Sequence, residues 1–302
     1  MSSGSKSPTR FSGVWLPIVT PFRDGEIDYP SYERLVDHSV RLGIHGIIPL
    51  GTTGESPTID DAEADRLVEH TIATVAGRVP IVVGVGGNDT RKVVKAVERL
   101  ERHAIQGILS VCPYYSRPSQ DGMREHFTRI AAATGRAILI YNIPYRTGVN
   151  LANETLLALA ELPNIAGVKD SSGNVQQSLD LLRRRPSGFA VLTGEDAYYY
   201  TMLANGADGG ILASSHLETA RFVEVHARMV ANDHLGARQA WGPLETLIPL
   251  LFQEPNPMPI KHCLWRQGLL QSPECRLPLT RVSEALARQL DAVSRERAAA
   301  AA

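Results

Sequence analysis

The stretch NIAGVKDSSGN (residues 164–174) places a lysine directly after a short apolar run, and a glycine-containing turn follows at once. An apolar run without alternation is typical of a parallel strand that is covered on both faces. Because a strand interior disfavours an ammonium group, Lys169 marks the point where the strand ends. The stretch therefore predicts a buried strand that leads through a polar turn into a helix.

Seven further apolar runs have the same character, and segments with helical periodicity lie between them. The runs are GVWLPIVTPF (13–22), GIHGIIPLG (43–51), VPIVVGVGG (79–87), IQGILSVCPYY (105–115), AILIYNIP (137–144), FAVLTGED (189–196) and ADGGILASS (207–215). Eight strand-and-helix units predict an α/β fold, specifically a (β/α)8 TIM barrel, with a doubly wound sheet as the alternative.

The domain organisation follows from where these units begin and end. The polar residues 1–12 predict a disordered N-terminal arm, and residues 13–230 the barrel. From residue 231 onward only helical patterns occur, so residues 231–302 predict a C-terminal helical region that is appended to the barrel.

Composition excludes several classes of partner. The net charge of −1 is spread over both signs, so there is no basic field for nucleic acid. The three cysteines are far apart and indicate neither a disulfide framework nor a zinc ribbon. No apolar run is long enough to cross a membrane, and the N-terminus lacks the apolar core of a signal peptide, so a cytoplasmic protein is expected.

Lysines are scarce, which narrows the search for an amine nucleophile. Only five of the 31 basic residues are lysines, and arginine cannot replace them because its guanidinium stays protonated. Lys6 lies in the arm, Lys92 and Lys95 lie on a helix and face water, and Lys261 is expected to be structural. Only Lys169 lies at a strand end, where barrel enzymes carry their chemistry.

Alternation along the strand places Lys169 on the same face as Gly167, and that glycine is expected to leave room for a long side chain and a ligand. Desolvation at such a position lowers the pKa of a lysine and makes the amine nucleophilic, as a Schiff base requires. The alternative is a charge partner for Glu195 or Asp196.

Other strand ends carry groups that a Schiff-base site needs. The turn GTTGES (51–56) offers backbone N–H groups to a carboxylate, or serves only as a helix entry. Tyr141 is placed to move protons, unless it is a core tyrosine. Arg146 suits a second carboxylate, or else a surface ion pair. The sequence lacks metal-ligand spacing and a phosphate-binding loop, so neither a metal nor an organic cofactor is expected.

Four motifs, in this order, together resemble the dihydrodipicolinate synthase and N-acetylneuraminate lyase family of pyruvate-dependent class I aldolases, from about Gly13 to Thr280. They are GTTGES (51–56), PYYSRPSQ (113–120), YNIPYRTG (141–148) and GVKDSSG (167–173). EPNPMPIK (254–261) and RLPL (276–279) make the dihydrodipicolinate synthase branch the most similar.

The resemblance implies roles for individual residues. Lys169 forms an imine with pyruvate, Tyr141 relays protons, and Thr53 and Tyr115 complete a chain of hydroxyl groups with Tyr141. The remaining implied contacts with substrate are the backbone of Thr52 and Thr53 at the pyruvate carboxylate, Arg146 at the carboxylate of the aldehyde, and the backbone around Gly194 and Ile211 at the edge of the pocket.

The implied reaction is a carbon–oxygen lyase reaction in which pyruvate condenses with L-aspartate 4-semialdehyde to 4-hydroxy-tetrahydrodipicolinate, on the way to diaminopimelate and lysine. No cofactor takes part. Tyr115 is implied to reach a site shared across a subunit interface, so a homotetramer built as a dimer of dimers is expected. A related aldolase acting on another aldehyde or keto-deoxy sugar acid, and a catalytically silent barrel, are the alternatives; Tyr145 favours the former because the branch usually carries a smaller residue there.

The resemblance also allows a prediction about feedback inhibition by lysine. Lysine-inhibited members carry histidines shortly after GTTGES and a glutamate in the helix after the third strand. Here those places are Asp61, Ala64 and Lys92. A cationic Lys92 repels the ammonium of lysine, so weak or absent inhibition by lysine is expected.

Overall fold

A computed structural model describes residues 11–301, with side chains for residues 11–296. Residues 1–10 of the predicted arm lie outside the described residues. Phe11, which the sequence also assigned to the arm, is buried, and its ring lies 5.5 Å from that of Trp15. Packing of the chain therefore begins before residue 13.

Eight parallel strands with helices between them form a nearly closed barrel, which confirms the predicted fold. The strands are β1 (Gly13–Leu16), β2 (Gly46–Ile47), β3 (Val82–Val85), β4 (Gly107–Val111), β5 (Ala137–Asn142), β6 (Ile165–Asp170), β7 (Ala190–Thr193) and β8 (Gly209–Ile211). The sheet runs in the order β2-β1-β8-β7-β6-β5-β4-β3. A bridge between Ile47 and Ile81 joins its two edges.

The helices follow the strands in alternation and then continue alone. They are α1 (Tyr29–Arg41), α2 (Asp61–Val75), α3 (Thr90–Leu100), α4 (Gln120–Ala132), α5 (Pro144–Thr147), α6 (Asn153–Leu159), α7 (Val175–Arg184), α8 (Tyr199–Ala204), α9 (Ser215–Val230), α10 (His234–Trp241), α11 (Leu244–Leu251), α12 (Met258–Arg266) and α13 (Glu284–Ala301). A short hairpin, Phe22–Arg23 with Glu26–Ile27, follows β1. Asp60 caps α2 through a capping box with Glu63.

Alternate residues of each strand enter two different apolar clusters. Leu139 and Tyr141 of β5 face the barrel interior, whereas Ile138 and Ile140 pack against the outer helices. Because both faces are covered, the strands are apolar along their whole length, as the sequence predicted. The interior is filled by side chains such as Trp15, so the open space is confined to the rim.

The closing strands approach each other closely at Gly84. A Cβ atom at this position would lie 2.3 Å from the carbonyl oxygen of Leu50, and the Gly84 N–H donates to Pro49 O at 2.9 Å. Gly84 therefore serves barrel closure.

The C-terminal helices cover one side of the barrel. Helix α10 packs on α9 and on α8, and α12 packs on α9. Leu244, Ile260 and Leu264 are fully buried and belong to the same apolar cluster as Phe222 of α9. Within residues 11–301, no helix combines the length and the apolar character that spanning a bilayer requires.

Candidate active site

Lys169 points into the barrel near the carboxyl end of β6. Its Cα is in register with Tyr141 of β5 and Leu192 of β7, and both of these side chains belong to the interior cluster. The Lys169 side chain is buried, and its Nζ lies 4.2 Å from the centroid of the Tyr141 ring. The predicted nucleophile and the predicted proton relay are therefore in contact.

The environment of Lys169 favours the neutral amine. Burial lowers its pKa to about 8, against the charges of Asp196 and Glu195, which raise it. Neither acid lies within ion-pair distance of Nζ, and an Asp196 oxygen instead accepts the Ser214 N–H at 2.6 Å. The alternative of a charge partner is not supported, and about a tenth of the amine is neutral, and so able to attack a carbonyl carbon, at pH 7.

Gly194, rather than Gly167, provides the space for the lysine. A Cβ atom at Gly167 would lie 2.4 Å from the Ala190 carbonyl oxygen, so strand β7 fills the room that was expected for a ligand. A Cβ atom at Gly194 would lie 2.6 Å from Lys169 Cε. The expectation for Gly167 was wrong because that glycine faces the neighbouring strand. Ile211 is buried in the interior cluster.

Tyr141 is buried, and two hydroxyl groups lie beside its phenol. Burial raises its pKa above the usual value, while Arg146, Ser171 and Thr52 act in the opposite direction. The hydroxyl from the GTTGES turn thus belongs to Thr52, whereas the resemblance assigned it to Thr53.

Thr53 faces the C-terminal region instead. It is buried, and its Oγ1 accepts a hydrogen bond of 2.8 Å from Asn256 Nδ2. Its hydroxyl oxygen thus accepts from Asn256, whereas the turn hydroxyl beside the Tyr141 phenol is that of Thr52, so the expected relay role of Thr53 is corrected to a role in holding the turn. Thr52 and Thr53 are consecutive residues of one tight turn. Their side chains therefore point in different directions, Thr52 toward Tyr141 and Thr53 toward Asn256.

The GTTGES turn keeps two N–H groups available. The Gly54 N–H donates to Gly51 O and the Glu55 N–H to Thr52 O, each at 3.1 Å. Within the described residues, the Thr52 and Thr53 N–H groups donate to no protein acceptor. Such paired donors bind a small carboxylate.

A buried ion pair fixes the far side of this turn. Glu55 has a left-handed backbone (φ 56°), and its carboxylate pairs with Lys261 of α12. The second Glu55 oxygen accepts the Arg276 N–H at 2.9 Å, and Lys261 Nζ also donates to Glu274 O at 2.9 Å. The structural role expected for Lys261 is thus explained by the position of Glu55.

A cavity of about 1130 Å³ adjoins Tyr141, which contacts the lysine; Lys169 itself is not among its lining residues. Thr52, Tyr115, Tyr141, Tyr145 and Arg146 are among the residues that line it. Arg146 lies on α5 with its guanidinium carbon 5.5 Å from the Tyr145 ring centroid. The cavity is wide enough for two small substrates beside the tyrosine that covers the lysine.

Tyr115 extends away from the rest of its own chain. Its side chain is 90% exposed, its backbone is left-handed (φ 72°), and its N–H donates to Thr147 O at 3.3 Å. A bulky residue in this conformation is strained, and such strain is typical of functional positions. Within the described residues, neither a hydrogen bond nor a ring contact joins Tyr115 to Tyr141, although both line the cavity.

Two further residues at the site, Asn256 and Ser171, were missed by the sequence reasoning, and Glu195 was considered only as an ion-pair partner of Lys169. Asn256 holds Thr53, Ser171 lies beside Tyr141, and burial raises the pKa of Glu195 to about 7, with the neighbouring Asp196 acting in the same direction. Ser171 and Glu195 follow Lys169 and Gly194 closely at strand ends, so their position was a usable signal. Asn256 carried no such signal because its contact spans 203 residues. In the described part of the chain, no cluster of His, Cys, Asp and Glu is suited to a metal ion.

Comparison with known proteins agrees with the geometry. The model of the dihydrodipicolinate synthetase family matches residues 10–296. The 4-hydroxy-tetrahydrodipicolinate synthase 2 of Clostridium acetobutylicum is 48% identical over 282 residues, which cover 93% of this chain and 99% of that protein. The 4-hydroxy-tetrahydrodipicolinate synthase of Thermotoga maritima is 38% identical, covering 91% of this chain and 94% of the relative.

Solved structures of the same kind superpose closely. A monomeric dihydrodipicolinate synthase variant gives a TM-score of 0.93 at 37% identity, covering 95% of this chain and 97% of that one. Dihydrodipicolinate synthase from Aquifex aeolicus gives 0.92 at 34% identity, with coverage of 95% and 98%. The similarity thus extends over barrel and C-terminal helices together.

Proposed function

The chain belongs to the dihydrodipicolinate synthetase family, and we propose on that premise that it condenses pyruvate with L-aspartate 4-semialdehyde to give 4-hydroxy-tetrahydrodipicolinate. It is a lyase that uses a Schiff base. The observation that carries the proposal is Lys169, a buried amine without an ionic partner, in contact with Tyr141 at the carboxyl end of a barrel strand.

The chemistry follows from that amine. Lys169 attacks the keto carbon of pyruvate, the carbinolamine loses water, and the resulting iminium withdraws electrons from the methyl group. Loss of a methyl proton gives an enamine, which attacks the aldehyde carbon. The amino group of the semialdehyde then closes the ring and displaces Lys169.

Residues at the rim of the barrel bind the carboxylates of the two substrates. The unpaired Thr52 and Thr53 N–H groups hold the pyruvate carboxylate, and Arg146 holds the carboxylate of the semialdehyde. Tyr141 donates the proton that turns the carbinolamine hydroxyl into water. The backbone at Gly194 and Ile211 closes the inner side of the pocket.

We propose a homotetramer built as a dimer of dimers, in which Tyr115 enters the site of the neighbouring chain. Its exposure, its left-handed backbone and, among the described residues, the lack of a hydrogen bond or ring contact to its own Tyr141 support this role. Residues 13–230 supply the catalytic barrel, and residues 231–302 support it through Lys261 and Asn256. Three buried cysteines, all free thiols, suit a reducing compartment such as the cytoplasm.

A second aldehyde remains the competing function, because the exposed Tyr145 ring lies beside Arg146 in the second-substrate part of the cavity. The test is an initial-rate assay with pyruvate and a panel of aldehydes. The proposal expects L-aspartate 4-semialdehyde to give the highest kcat/KM. A higher value for a keto-deoxy sugar acid or its aldehyde would assign the chain to the alternative reaction.

A further inference from the structure

Ser171 carries a buried hydroxyl that forms no hydrogen bond. The residue has no exposed surface, and its backbone N–H is fixed by Asn142 O at 2.8 Å. Buried hydroxyl groups are almost always paired, because an unpaired one costs free energy. An orphaned hydroxyl beside a reactive lysine therefore requires an explanation.

The hydroxyl lies against the same glycine as the lysine. A Cβ atom at Gly194 would be 2.1 Å from Ser171 Oγ and 2.6 Å from Lys169 Cε, so both side chains pack on the Gly194 backbone. The Ser171 side chain also lies beside the Tyr141 phenol and beside the Glu195 carboxyl group. Ser171 thus stands between an acid and the tyrosine that covers the amine.

The hydroxyl chain expected from the resemblance is not available inside one chain. Thr53 Oγ1 is engaged by Asn256, and Tyr115 is exposed. The groups that do lie beside the Tyr141 phenol are Thr52 and Ser171. Of these two, Ser171 is the one whose side chain also lies beside a carboxyl group.

Building on the proposed function, we propose that Glu195 and Ser171 form a proton path that connects Lys169 with Tyr141 within a single chain. Because Glu195 is not within ion-pair distance of Nζ, the Lys169 ammonium gives its proton to the Ser171 hydroxyl, which packs on the same glycine, and Ser171 passes its own proton to the Glu195 carboxylate. The freed amine then attacks the keto carbon. A second nitrogen proton passes to the alkoxide, which gives the carbinolamine.

The return of the first proton completes the step. Tyr141 donates its phenolic proton to the carbinolamine hydroxyl, the C–O bond breaks, and water leaves. Ser171 reprotonates the phenolate and takes the proton that Glu195 holds. The balance is one ammonium and one ketone giving one iminium and one water, with Glu195 again a carboxylate beside the new cation.

The charge environment of Glu195 suits such a role. Burial raises its pKa to about 7, the neighbouring Asp196 raises it further, and Lys169 lowers it. A group with this pKa both accepts and donates protons near neutrality. The titratable and charged groups that surround it are Lys169, Asp170, Asp196, Tyr141, Tyr145 and, on the far side of Lys169, Arg146.

The test uses Ser171→Ala and Glu195→Gln in the full chain. Each is expected to lower kcat by about 10- to 100-fold, as loss of a general acid–base group does, with KM for pyruvate changed by less than about 2-fold. Matched controls are Ser172→Ala, on the adjacent serine, and Glu161→Gln, on an exposed glutamate. Glu195→Asp should recover part of the lost kcat because it keeps the carboxyl group.

The pH profile separates a relay from a structural role. Wild-type log kcat/KM should fall with a slope of about one below about pH 8, where Lys169 becomes protonated, and with a slope of about two below about pH 7, where Glu195 is protonated as well; Glu195→Gln should keep the first limb and lack the second. A slope of about two in Glu195→Gln, or wild-type kcat in Ser171→Ala, would overturn the relay. Borohydride trapping of each variant reports separately whether Lys169 still forms the imine, so failure of the relay is distinguishable from failure of the proposed function.

Discussion

Lys169, the proposed nucleophile, has no ion-pair partner among the described residues. Its amine is enclosed by the Tyr141 ring and by the Gly194 backbone, and the two nearby acids act on it only at longer range. Burial without ion pairing lowers the pKa of a lysine, whereas a close carboxylate would restore it. Packing around Lys169 therefore sets the lowered pKa of the proposed nucleophile.

The first prediction follows from that pKa. With a pKa of about 8, the neutral fraction of Lys169 is about a tenth at pH 7 and about nine tenths at pH 9. The rate of imine formation at low pyruvate should therefore rise several-fold over this interval. Single-turnover borohydride quenching at a series of pH values measures it, and a rate that is flat between pH 7 and 9 would contradict the lowered pKa.

The second prediction concerns Gly194. Gly194→Ala places a methyl group 2.1 Å from Ser171 Oγ and 2.6 Å from Lys169 Cε, so the lysine must move away from its position. We expect kcat/KM for pyruvate to fall by about 100-fold or more, the loss that a misplacement of about 1 Å produces. Gly135→Ala, at an exposed glycine with open space around it, is the control. Equal activity of the two variants would refute the packing argument.

At the scale of elements, the turn after β2 depends on the C-terminal region. Lys261 and Glu55 are both fully buried, and the pair joins α12 to the turn that carries Thr52 and Thr53. Removing one member of such a pair leaves an uncompensated buried charge. The C-terminal helices therefore maintain the carboxylate site as well as the core.

The third prediction is a double-mutant cycle on that pair. Lys261→Met should lower the free energy of unfolding by about 3–5 kcal/mol, and combining it with Glu55→Gln should cost less than the sum of the single changes. Urea unfolding measures all four proteins. Additive losses would mean that the two residues are not coupled.

The strands and helices illustrate what sequence alone could and could not predict. All eight apolar runs contain a barrel strand, because covering both faces of a parallel sheet leaves an unmistakable apolar run. Lys169 was identified because lysines are scarce and strand ends are where barrel chemistry lies. Thr53 was misassigned and Asn256 was missed, since both depend on which way a turn faces and on a contact across 203 residues.

At the level of the whole molecule, the proposed role of Tyr115 depends on the proposed tetramer. The fourth prediction is that sedimentation gives a mass of four chains of 32.9 kDa. In that assembly, Tyr115→Phe should lower kcat by about 10-fold or more without changing the mass, because the hydroxyl acts in the neighbouring site. An active monomer with an unaltered Tyr115→Phe variant would exclude the shared site.

Asp61, Ala64 and Lys92, the residues on which the expected insensitivity to lysine rests, lie on α2 and α3. Asp61 and Ala64 line the cavity below the GTTGES turn, Arg99 pairs with Asp61 at 2.7 Å, and Lys92 is exposed on α3. The fifth prediction is that L-lysine at about 1 mM, the concentration scale of weak binding, leaves the initial rate unchanged. Inhibition at sub-millimolar lysine would contradict it.

We propose Lys169 as the imine-forming residue of a pyruvate-condensing enzyme. The most direct measurement is reduction with borohydride in the presence of pyruvate, followed by mass mapping of the modified peptide, beside the L-aspartate 4-semialdehyde condensation assay. We expect one reduced pyruvate adduct, on Lys169, and rapid condensation of the two substrates by the untreated enzyme. No adduct, or an adduct on another lysine, would contradict it.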